Sequence, residues 1–305
     1  MERARTAAFY DLDGTLLHGS VVDHYLYYAL QDPHYPSRLR RVAELALKAP
    51  YYRWVDSHDR YQFNQVFYAS YAGLSEDRLA ILGESLFEKV LKKKLYAGVQ
   101  ELLAQDRAVG HMQVLVTGAL DFVANPVARH LGIAQVVASR LEYDKNGLAT
   151  GVLRPPVMAG PAKSAWIREF AREHALDMER SVAYSDDAAD LPMLSMVGRP
   201  VAVNPDACLL ATARSHGWPV LYIDAGARTP AGKLVEGALG AGKRLAEWVR
   251  DEAELRRTAR RDAGPAGREG GLGAARDRLS GLRARLRDTL ASAQRLGAEK
   301  LEGKA

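Results

Sequence analysis

Apolar and polar positions change rhythm several times along this chain. Ala7-Ala8-Phe9-Tyr10 is a short apolar run that ends in Asp11-Leu12-Asp13-Gly14-Thr15, the pattern of a buried strand running into a polar turn. Over residues 19–94 the spacing becomes helical. Val21, Tyr25, Tyr28 and Ala29 recur at helical intervals, then Tyr61, Val66 and Phe67, then Leu79, Leu82, Leu86 and Val90. Strand–helix alternation resumes with strands predicted at 113–116, 135–138, 181–184, 200–203 and 220–223, and a helix at 164–174. Asn146-Gly147 lies between two β-like runs within 141–153, a hairpin-turn signal. Strands separated by helices predict an α/β fold: a doubly wound, mainly parallel, Rossmann-like sheet with helices on both faces. Such sheets bind ligands beyond the carboxyl ends of their strands.

Past residue 226 the strand pattern stops. Residues 232–261 are rich in Ala, Leu, Glu and Arg and read as helix, and 264–271 has the composition of a flexible linker. Leu279, Leu282, Leu286 and Leu290 then form a narrow helical stripe flanked by Arg278, Arg283, Arg285 and Arg287. The expected organisation is a core of residues 1–18 and 95–225, an inserted helical cap at 19–94, and a basic helical C-terminal extension at 226–305.

Composition narrows the classes. Among 305 residues, 48% are hydrophobic and 26% charged, ordinary globular usage that excludes a collagen-like or wholly disordered chain. The single cysteine, Cys208, excludes an internal disulfide framework and a multi-cysteine zinc site, and is expected as a small buried hydrophobe. No run of eighteen apolar residues exists, and the residues before Ala7 are too few for a signal-peptide core, so a cytoplasmic location is expected. The net charge of +5 is uneven. Residues 226–305 hold 18 Lys and Arg against 11 Asp and Glu, which leaves 24 against 26 for the body. The body therefore calls for no nucleic-acid partner. Two uses of the tail stay open: a solvated extension, or an amphipathic basic helix docking weakly on an anionic membrane surface or a protein.

The chemistry concentrates at a few strand ends. Asp11 and Asp13, at i and i+2 after a strand, can face one site, and Gly14 lets the chain turn sharply with backbone amides available to a phosphate. Thr117 and Gly118 follow the strand at 113–116, Lys163 opens a helix, and Asp186 and Asp190 follow the strand at 181–184. Each has a bland reading alone: an acidic capping turn, a helix cap, an exposed lysine, surface carboxylates. The specific signal is their order, with every one on the ligand-binding rim of the sheet.

In that order the four pieces Asp-Leu-Asp-Gly-Thr15, Val-Leu-Val-Thr117, Lys163 and Ser-Asp186-Asp-Ala-Ala-Asp190 resemble the haloacid dehalogenase (HAD) superfamily of aspartate-nucleophile hydrolases, over about residues 6–224. The helical insertion is similar to the superfamily's helical-cap (C1) subclass IB, which holds the phosphoserine-phosphatase-like branch. The resemblance implies a phosphatase acting on a small phosphomonoester through an aspartyl-phosphate on Asp11. Asp13 would be the general acid and base. Gly14, Thr15, Thr117, Gly118 and Lys163 would bind the phosphoryl group. Mg²⁺ would be held by Asp11, the backbone carbonyl of Asp13 and Asp186, with Asp190 supporting it and Asp187 the alternative to Asp186. Asp13 favours ester hydrolysis over dehalogenation, because an alkoxide needs a proton and a halide does not.

The branch's usual Glu after the first motif, which contacts the amine of phosphoserine, is missing: residues 17–22 hold no acid before Asp23, which argues against phosphoserine. The cap is aromatic and basic, with Tyr51, Tyr52, Trp54, Tyr61, Phe63, Phe67, Tyr68 and Tyr71 expected mainly as core, and Arg53, His58 and Arg60 as candidates for substrate recognition. Asn204, in Asn204-Pro205-Asp206, reads as a turn residue that can also reach the phosphate site. Two rival functions remain: a phosphotransferase using the same intermediate, and a non-catalytic binding protein acting through its basic tail.

Overall fold

Strand β1 (Thr6–Tyr10) is the centre of a seven-stranded sheet. In this computed structural model residues 5–31 and 35–223 are described; the helical extension, linker and leucine stripe expected after residue 226 lie outside them. The sheet adds β2 (His111–Leu120), β3 (Gln135–Tyr143) and β4 (Ala149–Arg154) on one side of β1, and β5 (Val182–Ser185), β6 (Arg199–Val203) and β7 (Val220–Leu221) on the other. All neighbours are parallel except β3 and β4, an antiparallel hairpin closed by the Asn146-Gly147 turn.

The short apolar run forms a strand because both of its faces are covered. Ala7 and Phe9 join Val114, Val116, Ile167, Phe170, Met193 and Leu209 in one buried cluster. Ala8 and Tyr10 join Leu103, Leu115, Val123, Val127 and Tyr184 in the other. Successive residues alternate between the faces with the period of two that a strand imposes.

Between β1 and β2 lie α1 (Val21–Leu30), α2 (Tyr35–His58), α3 (Arg60–Tyr68) and α4 (Glu76–Lys89), followed by α5 (Val99–Val109), which leads back into the sheet. The chain leaves and re-enters the core through paired segments: the His18 amide donates to the Lys94 carbonyl at 2.8 Å, and the Tyr96 amide to the Leu16 carbonyl at 3.1 Å. The helical layer also rests on the β3–β4 hairpin, where the Gly73 amide donates to the Ala149 carbonyl at 2.7 Å and the Ala149 amide to the Leu74 carbonyl at 2.8 Å. Tyr52, Phe63, Phe67, Tyr68 and Tyr71 form its buried aromatic interior. The rest of the core adds α6 (Asp121–Leu131), α7 (Pro161–Glu173), α8 (Leu191–Leu194) and α9 (Ala207–His216).

Four expectations are corrected. Strand β2 runs on to Leu120, so Thr117 lies inside it, where the register with β3 shifts between Thr117 and Leu120. Tyr61 is exposed, because the buried face of α3 is Phe63, Asn64, Phe67 and Tyr68. Tyr51 and Trp54 are exposed as well, while Tyr52 between them is buried. Cys208 is exposed, not buried. The inward face of α9 is Leu209 and Ala213, one turn apart, and Cys208 is rotated off it. Among the described residues no helix is long and apolar enough to cross a membrane.

Candidate active site

The sheet register brings the motif residues to one edge. Tyr10 pairs with Leu115 on one side and Tyr184 on the other, so Asp11 and Asp186, just past their strands, and Thr117, within β2, stand at nearly the same level on three adjacent parallel strands. The Asp11 amide donates to the Tyr184 carbonyl at 3.0 Å, which extends the ladder to the first carboxylate. Lys163 arrives from a different layer, on the first turn of α7. Its Nζ donates to Asp11 Oδ1 at 2.7 Å and to Asp190 Oδ2 at 2.8 Å, and it is only 4% exposed.

The charges in this triad are set by burial and by each other. Burial pushes the Asp11 carboxyl up to about 7, even with the ammonium of Lys163 pulling it down. Burial opposes the charge on Lys163 too, but Asp11 and Asp190 prevail and hold it above the ordinary lysine range. Ser185 Oγ donates to Asp190 Oδ2 at 2.8 Å, so that oxygen already takes two hydrogen bonds. Asp190, expected beside the metal, is committed to holding Lys163.

Gly14 is required where it stands. Its φ is +85°, and a Cβ there would lie 2.0 Å from Asp186 Oδ2. Thr15 Oγ1 donates to Asp186 Oδ1 at 3.1 Å. Asp186 therefore packs onto the first-motif turn, whereas Asp187 turns away and pairs with Arg60 of α3. Of the two acids, Asp186 is the one that packs on the first-motif turn. The Asp206 amide donates to the Asp186 carbonyl at 2.8 Å, so the turn after β6 braces this loop. Asn204 is buried in that turn with φ +43°.

The backbone amides of Gly14 and Thr15, expected to hold phosphoryl oxygens, are spent elsewhere. The Gly14 amide donates to the Leu17 carbonyl at 2.8 Å, and the Thr15 amide to the Leu12 carbonyl at 3.3 Å. The turn doubles back so tightly that it satisfies its own donors. The Thr15 hydroxyl is likewise directed at Asp186 rather than outward. Thr117 Oγ1 accepts from the Ala119 amide at 3.0 Å and keeps its own proton to donate. At Gly118 a Cβ would lie 3.2 Å from Asn64 Nδ2 and 3.1 Å from the Met158 carbonyl, so a side chain would crowd this turn.

The helical layer reaches the same edge. Tyr68 Oη donates to the Gly118 carbonyl at 3.0 Å. Asn64 is 2% exposed, and its Nδ2 has no hydrogen-bond partner among the described residues. His24 Nε2 lies 3.3 Å from Asp13 Oδ1. Burial raises the Asp13 carboxyl above its usual range, opposed most by His24. Arg60 pairs with Asp56 of α2 at 2.8 Å as well as with Asp187. Burial works against the Asp187 charge, yet the Arg60 guanidinium holds its carboxyl below the usual range. Arg53 and His58, the other two candidates for recognition, are exposed; His58 Nδ1 is bonded to Ser57 Oγ and the Trp54 carbonyl. His24, Asn64 and Tyr68 escaped the motif reading. They occupy buried helical positions whose side chains look like interior packing until the sheet edge is placed beneath them.

A divalent cation fits this donor set. Among the described residues no group of three or more His, Cys, Asp or Glu side chains is placed to hold a metal ion. The edge instead offers the carboxylates of Asp11 and Asp186 and the main-chain oxygen of Asp13. These are hard oxygens, few in number, the set suited to Mg²⁺, which keeps several waters.

Comparison with known proteins identifies the family and the fold. A model of the haloacid dehalogenase-like hydrolase family matches residues 8–195. Phosphoserine phosphatase SerB1 of Mycobacterium tuberculosis is 32% identical over 216 residues, covering 70% of either chain. A Bordetella pertussis protein of unknown function superposes with a TM-score of 0.62 at 25% identity, over 72% of this chain and 100% of that one. A substrate-bound phosphoserine phosphatase shares the fold at a TM-score of 0.53 and 19% identity, over 73% of this chain and 96% of its own.

Proposed function

Because the chain belongs to the haloacid dehalogenase-like hydrolase family, we propose that it is a Mg²⁺-dependent phosphatase cleaving a small phosphomonoester through an aspartyl-phosphate on Asp11. The observation that carries this reading is the buried triad in which Lys163 joins Asp11 and Asp190 from three separate elements. Three ionisable groups shut away from water need a reason to be there, since a well-packed apolar core is usually no less stable. Phosphoryl transfer supplies one: it needs an ionised nucleophile and fixed positive charge at the same point.

In this reading one Asp11 oxygen attacks phosphorus while Lys163 neutralises charge on the phosphoryl group. Asp190 and Ser185 hold the ammonium in place. Asp13 gives a proton to the leaving alkoxide, then takes one from the water that hydrolyses the intermediate. The Thr117 hydroxyl donates to a phosphoryl oxygen, and Gly118 leaves room for it. Magnesium, held by Asp11, Asp186 and the Asp13 carbonyl, would supply Lewis-acid charge at a phosphoryl oxygen. Residues 19–94 serve as a cap over a core of 1–18 and 95–225, giving specificity and excluding water.

The name of the mycobacterial relative makes phosphoserine the first natural ester to assay. Two features argue for a different leaving group. Residues 17–22 offer no acid for an ammonium, and Arg60 is already paired with Asp56 and Asp187. The deciding experiment measures phosphate released from 4-nitrophenyl phosphate. Turnover should need Mg²⁺, stop with chelator, and fall roughly a thousandfold or more in Asp11→Asn with the fold intact. Wild-type turnover in that variant would refute Asp11 as the nucleophile.

A further inference from the structure

One contact under the cap does nothing in the mechanism above. His24 lies on α1, 3% exposed, with Nε2 3.3 Å from Asp13 Oδ1. Both atoms are closed off from solvent, and neither has a hydrogen-bond partner among the described residues: they approach each other without yet meeting hydrogen-bond geometry. The Asp13 side chain nonetheless keeps 17% of its surface, so its open part lies away from Oδ1. The nearby cations are engaged elsewhere: Lys94 Nζ is 3.4 Å from Asp23 Oδ2, and Arg60 pairs with Asp56 and Asp187.

A histidine present only for packing has no cause to aim a buried ring nitrogen at a motif carboxylate. A buried donor and a buried acceptor each lose by staying unsatisfied, so a mutual hydrogen bond is the economical arrangement. The two atoms stand 3.3 Å apart, short of a formed hydrogen bond, and contacts around a catalytic group are often long until substrate tightens them.

We propose that His24 is a positioning residue for Asp13. With a proton on Nε2 it donates to Asp13 Oδ1, fixes the plane of the carboxyl group, and leaves Oδ2 to exchange protons with substrate. This rests on the reading of Asp13 as acid and base. In the first half-reaction the bond from Asp11 oxygen to phosphorus forms as the phosphorus–ester oxygen bond breaks. The proton moves from Asp13 Oδ2 to the departing oxygen, which leaves Asp13 as carboxylate. A freely rotating carboxyl would spend much of its time off that line, and the loss would be greatest for leaving groups that depend most on the proton.

The test compares two esters of similar shape, 4-nitrophenyl phosphate and phenyl phosphate, in the full chain with Mg²⁺. The 4-nitrophenolate leaves readily without help, whereas phenolate needs the proton more. The readout is the ratio of kcat/KM between the esters, which reports the first chemical step and cancels a general loss of folded enzyme. His24→Ala should lower kcat/KM for phenyl phosphate about tenfold more than for 4-nitrophenyl phosphate, a modest share of the 10²–10⁴ of general acid catalysis. His24→Gln, which keeps a donor near the Nε2 position, should restore most of that difference. If His24→Ala does not fold, His24→Leu, which fills the space without a donor, carries the measurement. An unchanged ratio in the donorless variants, or a His24→Gln ratio no better than theirs, overturns the proposal. Failure of the wild type to hydrolyse either ester would overturn the phosphatase reading instead.

Discussion

The sheet edge and the helical layer over it, the cap of the proposal, meet around Asp13 and Gly118, yet they are built by opposite rules. At the edge, contacts between charged groups are short and come in sets: Lys163 bonds two carboxylates, Asp190 Oδ2 takes two donors, and Asp186 is wedged between Gly14 and Thr15. In the helical layer Tyr68 and Arg60 are bonded, but two buried polar groups are not: His24 Nε2 stops 3.3 Å from Asp13 Oδ1, and Asn64 Nδ2 has no hydrogen-bond partner among the described residues. If the edge serves a phosphoryl group as proposed, it can be assembled in advance, because that group is the same in every substrate. The cap leaves hydrogen-bonding capacity open, as a surface that must still meet a leaving group does. Preorganised charge supplies rate, and unfilled polar atoms supply choice.

The largest effect comes from breaking the edge. Lys163→Met would leave Asp11 and Asp190 buried without their shared cation. Removing one partner from such a buried set costs about 3–5 kcal/mol. Urea denaturation should show that loss, and hydrolysis should fall at least about a hundredfold. Adding Asp190→Asn should recover part of the stability, since one uncompensated charge goes, but none of the turnover. If Lys163→Met were as stable as the parent, the two carboxylates would not both be charged in the resting protein, and the contrast between edge and cap would lose its basis.

The same contrast governs what could be read from the sequence. The edge was legible because strand ends, a turn glycine and a helix start each leave a local mark, and parallel strands must deliver those marks to one rim. Asp11, Lys163 and Asp190 follow from that. The hydrogen bonding of Gly14 and Thr15 does not, because whether a turn spends its amides internally depends on how tightly it closes. The order of strands and helices was legible, including the Asn146-Gly147 hairpin, but not the reach of β2 to Leu120 or of β3 to Tyr143. The 24-residue helix α2 was not delimited, since Pro50 lies inside it and its first turn holds no acid to mark a start. Cys208 and Tyr61 show a finer limit: one position of rotation on a helix separates core from solvent. His24 and Asn64 were missed because a lone polar residue on a helix signals nothing until its neighbour across the fold is known.

A middle-sized effect sharpens the electrostatic half of the comparison. In metal-free protein, burial raises the Asp11 carboxyl to about 7, above its value in the unfolded chain. The native state then holds a proton that the unfolded chain has released. Stability from this group is full below the ordinary carboxylate range, declines as pH rises towards about 7, and levels off beyond. The slope from one such proton is at most about 1.4 kcal/mol per pH unit. Asp13, also raised by burial, acts in the same direction. The raised Lys163 loses its contribution only above the ordinary lysine range, outside this window. Urea midpoints between pH 5 and pH 8 in chelator, for wild type and Asp11→Asn, test it. The variant should show the shallower slope, and Mg²⁺ added at pH 8 should stabilise the wild type by binding the ionised form. Parallel slopes would mean that Asp11 is not the group under strain.

The smallest effect is expected where the two regions are tied together. Arg60 reaches from α3 to Asp187, the acid next to Asp186, and also holds Asp56. This looks like a strong clasp, but its members keep about a third of their side-chain surface, with Arg60 33% and Asp187 31% exposed. Water screens such a pair, so a double-mutant cycle of Arg60→Ala with Asp187→Asn should give a coupling of about 1 kcal/mol or less. Cap and core share larger supports, including the backbone bonds at Gly73 and Ala149 and the paired chain at His18 and Lys94. A coupling well above that, read from urea denaturation, would make the ion pair a principal fastening of the cap. Arg60 would then be unavailable to any substrate, and recognition would fall to the neutral groups around Asn64.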